Sequence, residues 1–213
     1  MSERAYGTIL RVRPLSETSV IVHWLSREQG RMAVVAKGAR RPKSPFLGRL
    51  DLFFEGEFAF RRSLRSELHL LTEVVVRETH APLRRDLALL ETASYWVQLI
   101  EVATETETPI PEVAILLEQA LRLLPLARQP SSMALGFELQ LLLSMGVLPS
   151  EAFRGLPAGA DVIADTWQRE GLGACARTTC TVEQGGVLLR RLGAALQDHA
   201  GRLPRGRAER FEV

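Results

Sequence analysis

The chain has 213 residues, 46% of them apolar and 24% charged, with a formal net charge of +2. That is enough to bury a core as one compact unit or two small ones, and the composition excludes a disordered, collagen-like or coiled-coil chain. No apolar run approaches the roughly 18 residues of a membrane helix, no secretory h-region follows Met1-Ser2-Glu3-Arg4, and Cys175 and Cys180 are too few for a disulfide scaffold, so a cytoplasmic setting is expected.

Residues 1–79 read as a small β-module of five strands. Gly7 to Arg13 sets Leu10 and Val12 on one face and Arg11 and Arg13 on the other. Ser19 to Leu25 aligns Val20, Val22 and Trp24, and Gln29-Gly30 turns the chain. Arg31 to Lys37 then points Met32, Val34 and Ala36 inward. Phe53 to Phe60 aligns Phe54, Phe58 and Phe60, and Glu67 to Val76 aligns Leu68, Leu70, Val74 and Val76. Between the third and fourth strands, Gly38-Ala39-Arg40-Arg41-Pro42-Lys43-Ser44-Pro45 cannot hold regular structure, so an extended, exposed basic loop is expected there. The pattern suits a partly open OB-fold barrel; an SH3-like barrel would show similar spacing.

From Pro82 the period becomes helical, so 80–213 reads as a helical domain. Helices are expected from Pro82 to an end within Thr104–Thr108, from Pro111 to Leu124, from Ser131 or Ser132 to Gly146, and from Val187 to His199. Glycines and a proline punctuate 150–183, which reads as an irregular insertion. The fold class is α+β.

Charge is unevenly spread. Arg27, Arg31, Lys37, Arg40, Arg41, Lys43 and Arg49 face one opposing carboxylate, Glu28, a local balance of about +6. Such a stretch points to a polyanion partner. With Arg11 and Arg13 these cations form the candidate DNA-binding set, able to neutralise phosphates without reading sequence. Trp24, Phe46, Phe53 and Tyr6 are candidate stacking platforms, with Phe46, beside the loop, the best of them. The GARRPK string also matches a short nuclear-localisation pattern, a weakly specific signal. No nucleotide-binding, metalloprotease or nucleophile-elbow motif is present, so no catalytic residue is assigned.

The run Glu17-Thr18-Ser19-Val20-Ile21-Val22, then Ser26-Arg27-Glu28-Gln29-Gly30-Arg31, then Val35-Ala36-Lys37-Gly38-Ala39-Arg40-Arg41-Pro42-Lys43-Ser44 resembles the N-terminal signature of RecO-type recombination mediators. Arg84-Arg85-Asp86-Leu87 and Phe137-Glu138-Leu139-Gln140-Leu141-Leu142, closing on Gly146-Val147-Leu148-Pro149, are similar to later family segments. The resemblance implies an OB-fold followed by a helical domain. It implies a nucleoid-associated DNA-repair protein that binds single- and double-stranded DNA, anneals complementary strands and assists recombinase loading onto strands coated by single-strand-binding protein. The implied partners are a RecR-type ring protein and the C-terminal tail of single-strand-binding protein, for which Arg122 and Arg128 beside Leu124 and Leu126 are candidate contacts. Many family members also carry a four-cysteine zinc site; with only Cys175 and Cys180 available, zinc is not expected and the zinc-ribbon element reads as lost. An OB-fold adaptor working through protein partners and an RNA-binding module are the alternative functions.

Overall fold

The computed structural model describes residues 2–148 and 151–207. Two compact units are present: the chain up to His80 together with Thr104–Glu118, and Ala81–Ala103 together with the chain from Gln119 onward.

The first unit is a barrel of β1 (Glu3–Pro14), β2 (Val20–Ser26), β3 (Gly30–Ala36), β4 (Glu55–Arg61) and β5 (Leu68–Glu78). It closes in the order β1-β2-β3-β5-β4, every pair antiparallel except β3–β5. This is the five-stranded Greek-key barrel of an OB-fold, closed rather than partly open. Val20, Val22, Trp24, Met32, Val34 and Ala36 fill it as their alternation requires. Trp24 stacks on Phe58 with ring centroids 4.3 Å apart.

Of three register shifts in the sheet, two reset the expected alternation. The β1–β2 register slips between Ile9 and Arg11, so the extra residue, Leu10, is buried alongside Ile9 while Arg11 and Arg13 stay outside. On β5, Phe60 pairs with Leu71 but Ala59 pairs with Glu73, leaving Thr72 as the extra residue. His69 and Leu71 therefore point inward before the bulge and Val74 after it. Leu68 and Leu70, expected in the core, face outward, because one inserted residue inverts every side chain on one side of it.

Thr104–Glu118 belongs with the barrel rather than with the expected helical domain. Arg31 Nε donates to Thr104 Oγ1 at 2.8 Å, and Arg31 forms an isolated parallel bridge with Thr106. His69 Nδ1 accepts from the Ser63 N–H at 3.2 Å, so Nε2 carries the ring proton and donates to Glu107 Oε1 at 2.8 Å. Arg62 reaches the other Glu107 oxygen at 3.1 Å. These partners lie tens of residues away in sequence, out of reach of any local pattern.

The second unit centres on α3 (Pro130–Ser144). Ten of its fifteen residues are buried, as expected of a helix covered on all sides. Helices α1 (Leu87–Ala103), α4 (Ala160–Glu170), α5 (Leu172–Arg177) and α6 (Val182–Ala200) pack against it. Helix α2 (Pro111–Leu123) begins in the first unit. Pro82 and Leu83 lie in a short 3-10 turn, Ala81–Arg85, that precedes α1, and Leu87 is exposed. No side chain caps α3, which starts on Pro130; the expected serine caps sit inside its first turn. Helix α6 starts earlier than expected, on a capping box in which Thr181 Oγ1 accepts from the Gln184 N–H and the Gln184 side chain accepts from the Thr181 N–H. The 150–183 stretch is more regular than expected: residues 160–170 and 172–177 form α4 and α5, held by buried Ala164, Trp167, Leu172 and Cys175, while residues 151–159 form turns and a short 3-10 segment; Gly159 and Gly171 mark helix boundaries, Gly171 with φ 69°. Pro149 and residues 208–213 of the arginine-rich tail lie outside the described residues.

Helix α5 approaches α3 closely because position 136 is glycine. A Cβ added there would sit 2.5 Å from the Cys175 sulfur. Gly136→Ala should therefore destabilise the chain by about 1–2 kcal/mol, since overpacking costs about 1–3 kcal/mol and outweighs roughly 1 kcal/mol of gained helix propensity. The Cys175 Cβ is equally close, so only Cys175→Gly in the background, which removes both atoms, should largely abolish the cost. Urea unfolding of the four proteins of the cycle measures this; a destabilisation that persists without the Cys175 side chain would refute the contact.

Candidate nucleic-acid interface

The nine candidate cations divide by their partners. Arg27 Nε donates to Glu118 Oε1 at 3.0 Å, and its Nη2 pairs with the other Glu118 oxygen. The bond to Glu118 raises the Arg27 pKa, and Glu118 is itself buried. The guanidinium also lies over the Tyr6 ring, 5.6 Å from its centroid. Arg31 is held by Thr104. Both side chains therefore serve the first unit's own structure, and a phosphate would have to compete with existing partners. Arg49 donates to the Val74 carbonyl at 3.2 Å while remaining largely exposed.

Lys37, Arg40, Arg41 and Lys43 are all exposed. Their loop is not extended. It folds as successive turns, with Arg41 N–H donating to the Gly38 carbonyl, Ser44 to Arg41, Leu47 to Ser44 and Arg49 to Phe46. Gly38 takes φ 68°, open to glycine without strain. The prolines only bar strand pairing; they do not prevent turns. The loop is also fastened to the β1–β2 connection. Arg40 N–H donates to the Thr18 carbonyl at 3.0 Å, Gly38 N–H to Ser19 Oγ at 3.3 Å, and Arg40 Nη1 reaches the Ser16 carbonyl at 3.5 Å. Arg13, exposed at the end of β1, leads into that same connection, and Arg11 is half-buried on the outer face. The result is a cationic platform on a braced backbone at one end of the barrel.

The stacking candidates are not available there. Phe46, expected to stand free beside the loop, is 7% exposed and part of the barrel core. Trp24 and Phe53 are buried as well, and Tyr6 donates from its hydroxyl to Glu55 Oε2 at 3.2 Å. The turns of the loop fold Phe46 back over the barrel, which the neighbouring prolines and cations did not suggest. Arg61, exposed at the end of β4, was not among the candidates; its position shows only once the β4–β5 register is known.

In the second unit Arg122 and Arg128 are exposed, Leu126 is 73% exposed, and Leu124 is fully buried. Of the two leucines placed beside these arginines, only Leu126 offers its side chain to a ligand.

The family model described as recombination protein O N terminal matches residues 1–80, and the one described as recombination protein O C terminal matches residues 84–201. The chain belongs to the RecO family. Among similar RecO proteins, one from Symbiobacterium thermophilum named DNA repair protein RecO is 31% identical over 198 residues, 88% of this chain and 75% of its own. Proteins of the same name from Listeria monocytogenes serotype 4b and Exiguobacterium sibiricum are 30% and 29% identical over 148 and 149 residues, 70% of this chain in each case. The chain spans 57% and 59% of their lengths.

The four-thiolate zinc site of many RecO proteins does not fit the residues present. The sequence has two cysteines. Cys175 is buried, its thiol donates to the Gly171 carbonyl at 3.3 Å, and burial pushes its pKa up to about 12. Among the described residues no three His, Cys, Asp or Glu side chains are grouped to hold a metal ion. No helix among them is long and apolar enough to cross a membrane.

Proposed function

We propose that this RecO-family chain is a DNA-repair and recombination mediator that binds single- and double-stranded DNA through the braced loop. Lys37, Arg40, Arg41 and Lys43, with Arg13 beside them, are the primary phosphate contacts. Arg11 and Arg49 flank them, while Arg27 and Arg31 act mainly as supports. The observation that carries the reading is a run of exposed cations on a backbone already hydrogen-bonded in place, so that binding a polyanion need not order the loop first. Annealing requires no covalent step: a cationic surface that holds two strands lowers their mutual repulsion and raises their local concentration.

Family membership adds recombinase loading on strands coated by single-strand-binding protein, a RecR-type ring partner and the acidic tail of single-strand-binding protein. For that tail, Arg122, Arg128 and exposed Leu126 supply charge and apolar surface. These activities belong to the cytoplasm, at the nucleoid.

The test is affinity for an unstructured single strand and for a duplex over a range of salt. With about five phosphates neutralised, log affinity for the single strand should fall against log salt with a slope of roughly −3 to −4. A slope near zero, or no binding at low salt, would eliminate the DNA-binding reading and favour an adaptor that works through proteins.

A further inference from the structure

The loop between β3 and β4 carries one side chain that phosphate contacts leave unexplained. Ala39, Phe46 and Leu50 fold back onto the barrel core. Leu47, next to Phe46, does not: it is 64% exposed. It takes one corner of the turn closed by the Arg49 N–H donating to the Phe46 carbonyl at 3.0 Å, and Gly48, at φ 70°, takes the other. Both sides of that turn are fastened. The Phe46 ring lies in the core, the Leu47 N–H donates to the Ser44 carbonyl at 3.2 Å, and the Arg49 guanidinium donates to the Val74 carbonyl. A Cβ on Gly48 would meet nothing within 4 Å, so the tip of the turn stands clear. Residues 37 to 50 include five cations and no carboxylate. A single exposed leucine is ordinary on a mixed surface; this one is presented on a fastened backbone inside a run of cations.

We propose that Leu47 is an apolar wedge for interrupted duplex DNA, seated against the face of the terminal base pair at a gap in one strand while the loop cations hold phosphates around it. The assignment rests on the DNA-binding reading above and adds to it a preference for one DNA structure. The cations fix the occupant as a polyanion. One side chain on the corner of a turn forms no groove for a peptide or an acyl chain. It matches a flat apolar face met end-on, which in nucleic acid is the face of a base pair. Proteins that insert leucine between base steps must unstack them. Burying one leucine returns no more than a stacked step costs to open, so Leu47 gains little on intact duplex. At a gap the face is already bare, that cost is absent, and burial is a net gain. The selectivity is therefore for the break itself and not for sequence. It is separate from phosphate binding, which continuous duplex and single strand also satisfy. The growing end of a duplex formed by annealing presents the same bare face.

The probes are a DNA dumbbell, a duplex closed by a hairpin loop at each end, either sealed or carrying a central one-nucleotide gap, and an oligo(dT) strand, all at one salt concentration. Wild type should bind the gapped dumbbell about tenfold more tightly than the sealed one, the order of one leucine side chain withdrawn from water. Leu47→Ser should weaken binding of the gapped probe and bring that ratio to about one. Leu47→Trp, with a larger apolar face, should raise the ratio about threefold further. Leu64→Ser removes a leucine that is 97% exposed but lies outside the loop, and should keep the wild-type ratio. Binding of the sealed dumbbell is the check that a variant is folded; if the serine variant at 47 fails it, the tryptophan variant decides. Equal wild-type affinity for the two dumbbells, a ratio unmoved by substitution at 47, a ratio lowered as much by Leu64→Ser, or an equal loss of oligo(dT) affinity in Leu47→Ser would overturn the wedge and leave the loop assignment standing. A wild type that binds none of the probes would remove both.

Discussion

Arg207→Ala should lower the unfolding free energy of the chain by about 3–5 kcal/mol, the usual cost of breaking a buried pair from one side. Arg207 Nε donates to Glu138 Oε1 at 3.1 Å and its Nη2 to Oε2 at 2.6 Å, with a further bond to the Leu189 carbonyl at 2.7 Å. The Tyr95 hydroxyl also donates to Glu138. All three side chains are buried, and Glu138 sits on the central helix α3. Burial pushes the Glu138 pKa up while Arg207 opposes the shift, and burial with the adjacent carboxylate drives the Tyr95 pKa upward. Without the guanidinium, Glu138 must either stay charged and unpaired or take up a proton; both cost stability at neutral pH. Helix α6 is shaped for this contact: a Cβ at Gly193 would lie 2.7 Å from Arg207 Nη1. Urea unfolding of the whole chain measures the loss, and a change below about 1 kcal/mol would mean that the pair is only a weak tether. Replacing Arg207 and Glu138 together by methionine should recover much of it, since no charge is then left buried.

Reversing Arg40, Arg41 and Lys43 to glutamate should weaken DNA binding roughly hundredfold at about 50 mM salt. Three phosphate contacts on a single strand carry a salt slope of about 2, which between about 1 M and about 50 mM salt amounts to roughly two to three decades in affinity. The salt slope should also become shallower by about 2, from three fewer released counterions at about 0.7 each on a single strand. Unfolding free energy should change by less than about 0.5 kcal/mol, because all three side chains are exposed and the loop is fastened largely through its backbone. Unaltered affinity in a folded variant would move the DNA site off this loop. A lower affinity with an unchanged slope would show that the reversal acts through something other than phosphate contact.

The barrel could be read from the sequence because alternation was strong where neither bulges nor distant partners intervened. Val20 to Trp24 and Met32 to Ala36 lie as their period demands. Alternation failed at Leu68 and Leu70, since a bulge is a property of two strands paired together and leaves little trace in either one. The basic loop was visible as composition, but its turns and the burial of Phe46 depend on hydrogen bonds to Thr18 and Ser19 and on the barrel interior. Arg27 and Arg31 looked equivalent to Arg40 because charge is legible and pairing is not; Glu118 and Thr104 lie 91 and 73 residues further along. In 150–183 the glycines masked two helices, since the same residue that breaks an element also separates short ones.

The reach of Thr104–Glu118 back to the barrel bears on how the protein is made. A ribosome that has released all five strands has not yet delivered the partners of Arg27, Arg31 and His69. At about 5–20 residues per second, the stretch from 81 to 118 takes roughly 2–8 s to synthesise. During that interval a nascent barrel carries unmatched cations along the edge where Thr106 later docks. Completion of the N-terminal unit is thus timed by translation beyond its own sheet, and a gene fragment cut after the fifth strand would encode a barrel permanently held at that unfinished stage.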